Sequence, residues 1–277
     1  MHTPPLDDAR SSPVAAVTPD DRAPIAVWDL PTRVFHWALA TAFAGAFLTA
    51  EWDGGRKVHV LFGLTMVGLI VFRIVWGFVG TRYARFRSFV FPPGRVASYL
   101  RSILARAPEH YVGHNPGAAA AIFLMLGLGL VTAASGLATY REVGGEWLEE
   151  AHETAAFGLL ALVVVHVAGV LLSSFQHREN LVRSMFTGVK LGRAGEGIAG
   201  GRVGIGLALL FAVLGFWSAG GTGALDVGAL AGPKAAGRAG EKAGEKDAAG
   251  SGQTREHGEN EGPDDNHDDD EGPDDDD

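Results

Sequence analysis

The sequence predicts an all-α integral membrane protein, a bundle of four transmembrane helices with a fifth apolar helix after it. Three observations support this. Five apolar stretches, over residues 34–50, 58–79, 117–139, 153–175 and 203–219, approach the ~20 residues that a spanning helix needs. The first and fifth are the shortest. Arginines collect in two of the connections between them, as in a chain sorted across a bilayer. Four histidines, His36, His59, His152 and His166, lie in or at the edge of those stretches, where an imidazole is costly and marks function. A water-soluble fold would have to bury five helices that are apolar on every side, a poor fit to 277 residues.

Residues 1–24 are polar, contain Pro4, Pro5 and Pro13, and lack the basic start and apolar run of a secretory signal. They read as a disordered cytoplasmic N-terminus, so the first span is itself the insertion signal. The connection over 80–116 carries Arg82, Arg85, Arg87, Arg95, Arg101 and Arg106 against Glu109. The segment after the fourth span carries Arg178, Arg183, Lys190, Arg193 and Arg202. The connection over 140–153 is acidic, with Glu142, Glu146, Glu149, Glu150 and Glu153 against Arg141. The positive-inside rule places both arginine-rich segments in the cytoplasm.

Within 80–116, Pro92-Pro93-Gly94 marks a turn. Residues 96–105 read as a short amphipathic helix whose arginines suit anionic lipid head groups. Asn115 can cap the third span, with Pro116 at its first position. Residues 25–190 form the core, and 191–220 a linker with the fifth span. Residues 221–277 read as a disordered acidic tail on the periplasmic side.

That tail explains the net charge. Residues 1–220 carry 18 Lys and Arg against 15 Asp and Glu, and residues 221–277 carry 5 against 17. The acidity therefore says nothing about the body. The chain has no cysteine, which excludes disulfides, thiolate zinc sites, iron–sulfur clusters and covalent c-type haem.

With the N-terminus inside, His36 lies near the cytoplasmic start of the first span. His59 and His152 lie at the periplasmic starts of the second and fourth. His166 lies two-thirds of the way down the fourth, toward the cytoplasm. Depth alone pairs His59 with His152, and His36 with His166. Fourteen residues separate His152 from His166, roughly 21 Å along a helix and close to four full turns, so both rings leave the same face. Zinc wants four ligands, whereas haem iron needs two axial ones and fills the space between helices. Gly45, Gly63, Gly68, Gly158 and Gly169 would let a flat ring approach the backbones. Bis-His ligation fills both axial positions and favours electron transfer over oxygen chemistry.

Arg73 follows His59 by 14 residues, at the depth of His36 and His166. One reading pairs it with a haem propionate; the other lets it snorkel to the cytoplasmic interface. His110, His114 and His177 read as surface or interfacial, with His114 held open because it precedes the capped third span.

These segments resemble a family. V-W-D-L-P-T-R-V-F-H-W (27–37), F-R-I-V-W-G-F-V-G-T-R-Y-A-R-F (72–86), G-H-N-P-G (113–117) and H-E-T-A-A-F-G-L-L-A-L-V-V-V-H (152–166) occur in the order seen in bacterial cytochrome b561-type proteins. That superfamily includes the b-type cytochrome subunit of Ni,Fe-hydrogenases. The resemblance covers about residues 25–190. It implies four core helices holding two b haems by bis-His ligation, with His36, His59, His152 and His166 on the ligand positions. It also implies electron exchange between membrane quinone, such as ubiquinone, and a redox partner.

The sequence therefore predicts a dihaem b-type electron carrier in the bacterial inner membrane. Its expected partners are membrane lipid, quinone and either a periplasmic c-type cytochrome or a hydrogenase or dehydrogenase subunit; nucleic acid is not expected. Two rival readings stand beside it. One is a self-contained superoxide:quinone oxidoreductase, with Arg56 and Lys57 steering the anion against Glu51 and Asp53. The other is a membrane anchor of a redox complex. No nucleotide or flavin motif supports direct oxidation of NADH.

Overall fold

The computed structural model describes residues 22–105 and 109–232, which lie within one compact unit. The disorder expected of residues 1–21 and of the acidic run after 232 lies outside the described residues. The chain runs from strand β1 (Ala23–Ala26) into helices α1 (Leu30–Thr49) and α2 (Arg56–Val79). A 3₁₀ turn (Phe86–Ser88) leads to α3 (Pro93–Leu104), α4 (Pro116–Tyr140) and α5 (Trp147–His177). Then come α6 (Leu181–Thr187), strand β2 (Val189–Gly192), α7 (Val203–Gly221) and α8 (Val227–Ala231).

Four helices, α2, α4, α5 and α7, are long and apolar enough to cross a membrane. They are not the four anticipated as the cofactor-holding spans. Helix α1 has the length, 20 residues. Thr32, Arg33, His36, Thr41 and Thr49 make it the more polar helix. It is nonetheless built into the bundle, packed between α2 and α7, while α2 touches α4 and α4 pairs along its length with α5. Phe35, Ala38, Leu69, Ile70, Leu126 and Val213 join α1, α2, α4 and α7 in one core. Ala42, Ala46, Met66 and Leu159 bring α5 into a second. Large apolar side chains such as Val71, Val75, Leu124, Val131, Val164 and Phe211 stay exposed on the outer helix faces, where lipid is the natural solvent.

Local signals account for the helix ends. Asn115 accepts a bond from Ala118 N at 2.8 Å, with Pro116 at the first position of α4, as its sequence predicts. Glu149 and Glu150 complement the N-terminal dipole of α5. Helix α3 starts at Pro93, three residues earlier than expected, and buries Tyr99 while Arg95 and Arg101 stay exposed.

Asp29 does the most. Its carboxylate is wholly buried and accepts from Thr32 N (2.8 Å), Trp76 Nε1 (3.1 Å) and Thr81 Oγ1 (2.6 Å). The first bond caps α1; the other two tie that cap to the end of α2. His36 and Arg73 are thereby set in register with each other.

Two elements depart from the expected all-α chain. Strands β1 and β2 pair antiparallel, with Ala23 opposite Gly192 and Ala26 opposite Val189. The ribbon is anchored by Gly188, whose carbonyl accepts from Val27 N and Trp28 N at 2.8 and 3.0 Å. Gly188 has φ +81°, and a Cβ there would meet the Trp28 carbonyl at 2.7 Å, so glycine is required. The second departure corrects the tail. Residues 221–232 are folded: Asp226 caps α8, Val227 and Ala231 are buried, and Arg141 Nε donates to Ala231 O at 2.6 Å. Residues 22–26, likewise expected to be part of or next to a loose terminus, carry β1.

Asp29→Ala removes the α1 cap and leaves two buried donors without a partner, each worth roughly 1–3 kcal/mol. The variant should unfold thermally in detergent well below the parent, and Asp29→Asn, which keeps an acceptor oxygen, should fall between them.

Candidate functional site

The structure brings the four histidines together in the two pairs expected from depth. His59 and His152 have ring centroids 6.1 Å apart with planes at 80°. His36 and His166 have centroids 6.5 Å apart at 54°. Helix α5 supplies one member of each pair. Its close backbone packing is with α4 and α6, not with α1 or α2, so the pairs meet across a cleft.

The geometry of the first pair follows from helix chemistry. Helix α1 ends at Thr49, so the Ala46 carbonyl is among the last four, which lack a regular helical partner. His59 Nδ1 lies 2.8 Å from it. A carbonyl only accepts, so Nδ1 carries the proton and Nε2 keeps a free lone pair. His152 Nδ1 makes the matching bond to Thr132 O on α4 at 2.9 Å. Such bonds set the tautomer and make the other nitrogen a better metal ligand. Gly136 on α4 makes room for His152: a Cβ there would sit 2.6 Å from the imidazole Cε1.

The second pair is less satisfied. His36 packs edge-on to Trp37 at 5.1 Å, and its Nδ1 is buried without a hydrogen-bond partner. Arg73, at 3% exposure, is buried rather than snorkelled. Its guanidinium lies 4.9 Å from the Phe86 ring centre and 5.8 Å from that of Phe89, and its Nη1 has no partner. Asp29 is within electrostatic reach, but its hydrogen bonds go to Thr32, Trp76 and Thr81.

Of the glycines expected to admit a flat ring, Gly45 is taken by a side chain instead, since a Cβ there would overlap the Phe62 ring. Gly63, Gly68 and Gly169 face open space, and Gly158 approaches Leu128. Sequence reasoning missed Gly136, Asp29 and the packing of His114. The D-L-P run, an N-cap residue just before a helix proline, was the available signal for Asp29. Gly136 had none, because glycines are common throughout these helices.

Haem fits these residues. A histidine–metal bond of ~2.0 Å, with about 1 Å more from nitrogen to ring centre on each side, puts two imidazole centres sharing one ion about 6 Å apart. Both pairs have that spacing. Among the described residues no cluster of three or more His, Cys, Asp or Glu is placed to hold a bare metal ion. A buried guanidinium with an unused donor suits an anionic substituent on a cofactor.

Fold and site together define a class: an apolar helical bundle that offers paired imidazoles to its interior. The chain belongs to the prokaryotic cytochrome b561 family, which it matches over residues 27–188. Membership implies haem b as cofactor, electron transfer as the task and a multi-pass place in a membrane. Among similar proteins is a probable Ni/Fe-hydrogenase B-type cytochrome subunit of Rhizobium leguminosarum bv. viciae, 26% identical over 62% of this chain and 90% of the relative. The corresponding subunit of Rhodobacter capsulatus is 25% identical over 60% of this chain and 81% of its own length. The probable Ni/Fe-hydrogenase 1 B-type cytochrome subunit of Escherichia coli K12 is 28% identical over 42% of this chain and 60% of its own length. No solved structure matches the chain.

Gly136→Val drives a side chain into the His152 imidazole. Purified in detergent, this variant should lose about half of its haem per chain, whereas Gly68→Val, whose Cβ meets nothing within 4 Å, should keep the parent content.

Proposed function

We propose that this chain is a dihaem b-type cytochrome that passes electrons across the membrane. One haem lies between His59 and His152 near the periplasmic face, and one between His36 and His166 near the cytoplasmic face. The observation that carries the reading is the pair of imidazole spacings, 6.1 and 6.5 Å, built on histidines fourteen residues apart on α5. Haem bound at each pair supplies a one-electron iron couple. The chain's own residues do the rest. His59 with His152, and His36 with His166, would each hold one haem by two imidazoles and so would favour electron transfer over oxygen chemistry. The Ala46 and Thr132 carbonyls orient one pair, and Arg73 lies buried toward the level of the other. With α1 counted as a fifth span, the arginine-rich connections would stand inside and the segment after α7 outside.

The names of the relatives support a hydrogenase subunit as redox partner; exchange with the quinone pool is the further step of this proposal. The superoxide reading gains nothing from the structure: Arg56, one of its two steering cations, is engaged over the Tyr140 ring at 5.6 Å.

A pyridine haemochrome assay on purified protein should give two haems b per chain. His36→Ala and His166→Ala should each remove the same haem, and His59→Ala and His152→Ala the other. Loss of one haem shared between His36→Ala and His59→Ala would refute the pairing.

A further inference from the structure

His114 stands in the turn before α4, outside the apolar span, in the run G-H-N-P. Its ring packs against Trp28 and Phe89, with centroids 4.7 and 4.4 Å away. Burial pushes its pKa down to about 3, and Arg73, Lys190 and His166 act in the same direction. The imidazole is therefore neutral near pH 7, with one N–H to give. Its Nδ1 is sealed from solvent and has no partner.

Arg73 presents the same problem beside the same ring. Its guanidinium also borders Phe89, at 5.8 Å, and its Nη1 is buried and unpaired. Two buried nitrogens, on different elements, thus border one aromatic ring; they are within electrostatic reach of each other, and His114 is also within reach of His166. Each would cost roughly 1–3 kcal/mol if it stayed unpaired. The acid acting on Arg73, Asp29, already accepts from three other groups. Among the described residues no acceptor is left for either group, and the acceptor that suits a site beside a cation is an anion. A carboxylate accepts from both groups at once, and only accepts, so it selects the His114 tautomer with its proton on Nδ1.

We propose that Arg73 and His114 form a two-point clamp for one carboxylate, a propionate of the haem held by His36 and His166. The proposal rests on the dihaem reading and adds His114 to the site. The Arg73 charge offsets that of the carboxylate and the His114 N–H stabilises it by a hydrogen bond, and both raise the reduction potential of the nearby iron. Losing either donor lowers it.

The test is a potentiometric titration of each haem by its visible spectrum. His114→Phe keeps an aromatic ring between Trp28 and Phe89 and removes only the donor; Arg73→Gln removes the charge. In a His152→Ala background, which retains only the haem of His36 and His166, each should lower the potential. The expected shift is at least a tenfold change in the reduction equilibrium, about 59 mV for a one-electron couple. In a His36→Ala background, which retains the other haem, neither should move it. An unchanged potential in His114→Phe overturns the clamp, as does an equal shift in both haems. A parent chain that binds no haem at all overturns the dihaem reading and the clamp with it.

Discussion

A polar group carried into the interior of a membrane helix bundle has to find its partner inside the protein, because lipid offers none. That constraint organises this structure. Asp29 meets it with three donors, Thr65 by accepting from Trp217 Nε1 at 3.0 Å, and His59 and His152 by bonding carbonyls of neighbouring helices. Each bond also joins two segments, so the same contacts that satisfy polar atoms set helix register. The atoms left over are the informative ones. Among the described residues several buried polar atoms lack a partner, Thr139 Oγ1 on α4 among them; the imidazole and guanidinium nitrogens in that set are His36 Nδ1, Arg73 Nη1, His114 Nδ1, Arg33 Nε and Arg85 Nε.

The two ends of α5 therefore differ. At the first, both imidazoles are hydrogen-bonded within the protein. The open C-terminal turn of α1 supplies a carbonyl to His59, and α4 supplies one to His152 while giving up a side chain at Gly136. At the second, His36 Nδ1 has no partner among the described residues, nor have the nearby Arg73 Nη1 and His114 Nδ1. One helix carrying two histidines fourteen residues apart thus presents two unlike environments, and under the proposed function such a difference would separate the potentials of the two haems.

Much of this was legible in the sequence, because hydropathy, loop charge and helical pitch are properties of short windows. The paired histidines, the capped start of α4 and the surface helix α3 all follow from such windows. The ribbon was not legible. Its strands are four residues each and lie some 160 positions apart, with no alternating pattern to reveal them. Nor was α8, because the Gly- and Ala-rich run around 221–232 looks like the tail it precedes, and only docking against α2 with a cap from Arg141 folds it. Helix α1 misleads in the opposite direction. It is apolar enough to be noticed but carries the hydroxyls, arginine and histidine that a working helix needs, and its neighbours α2 and α7 shelter them. His114 was misjudged because its loop position suggests solvent, while Trp28 and Phe89 close over it from elements distant in sequence.

The ring planes offer the most direct test of the central claim, that each imidazole pair ligates one iron. Electron paramagnetic resonance of the oxidised protein at low temperature reports axial ligation and the angle between axial ring planes. With planes at 80° for His59 and His152 and 54° for His36 and His166, two low-spin ferric signals of unequal anisotropy are expected, the more anisotropic one vanishing in His152→Ala. A single low-spin signal, or a high-spin signal from an iron with an open axial position, would contradict the account.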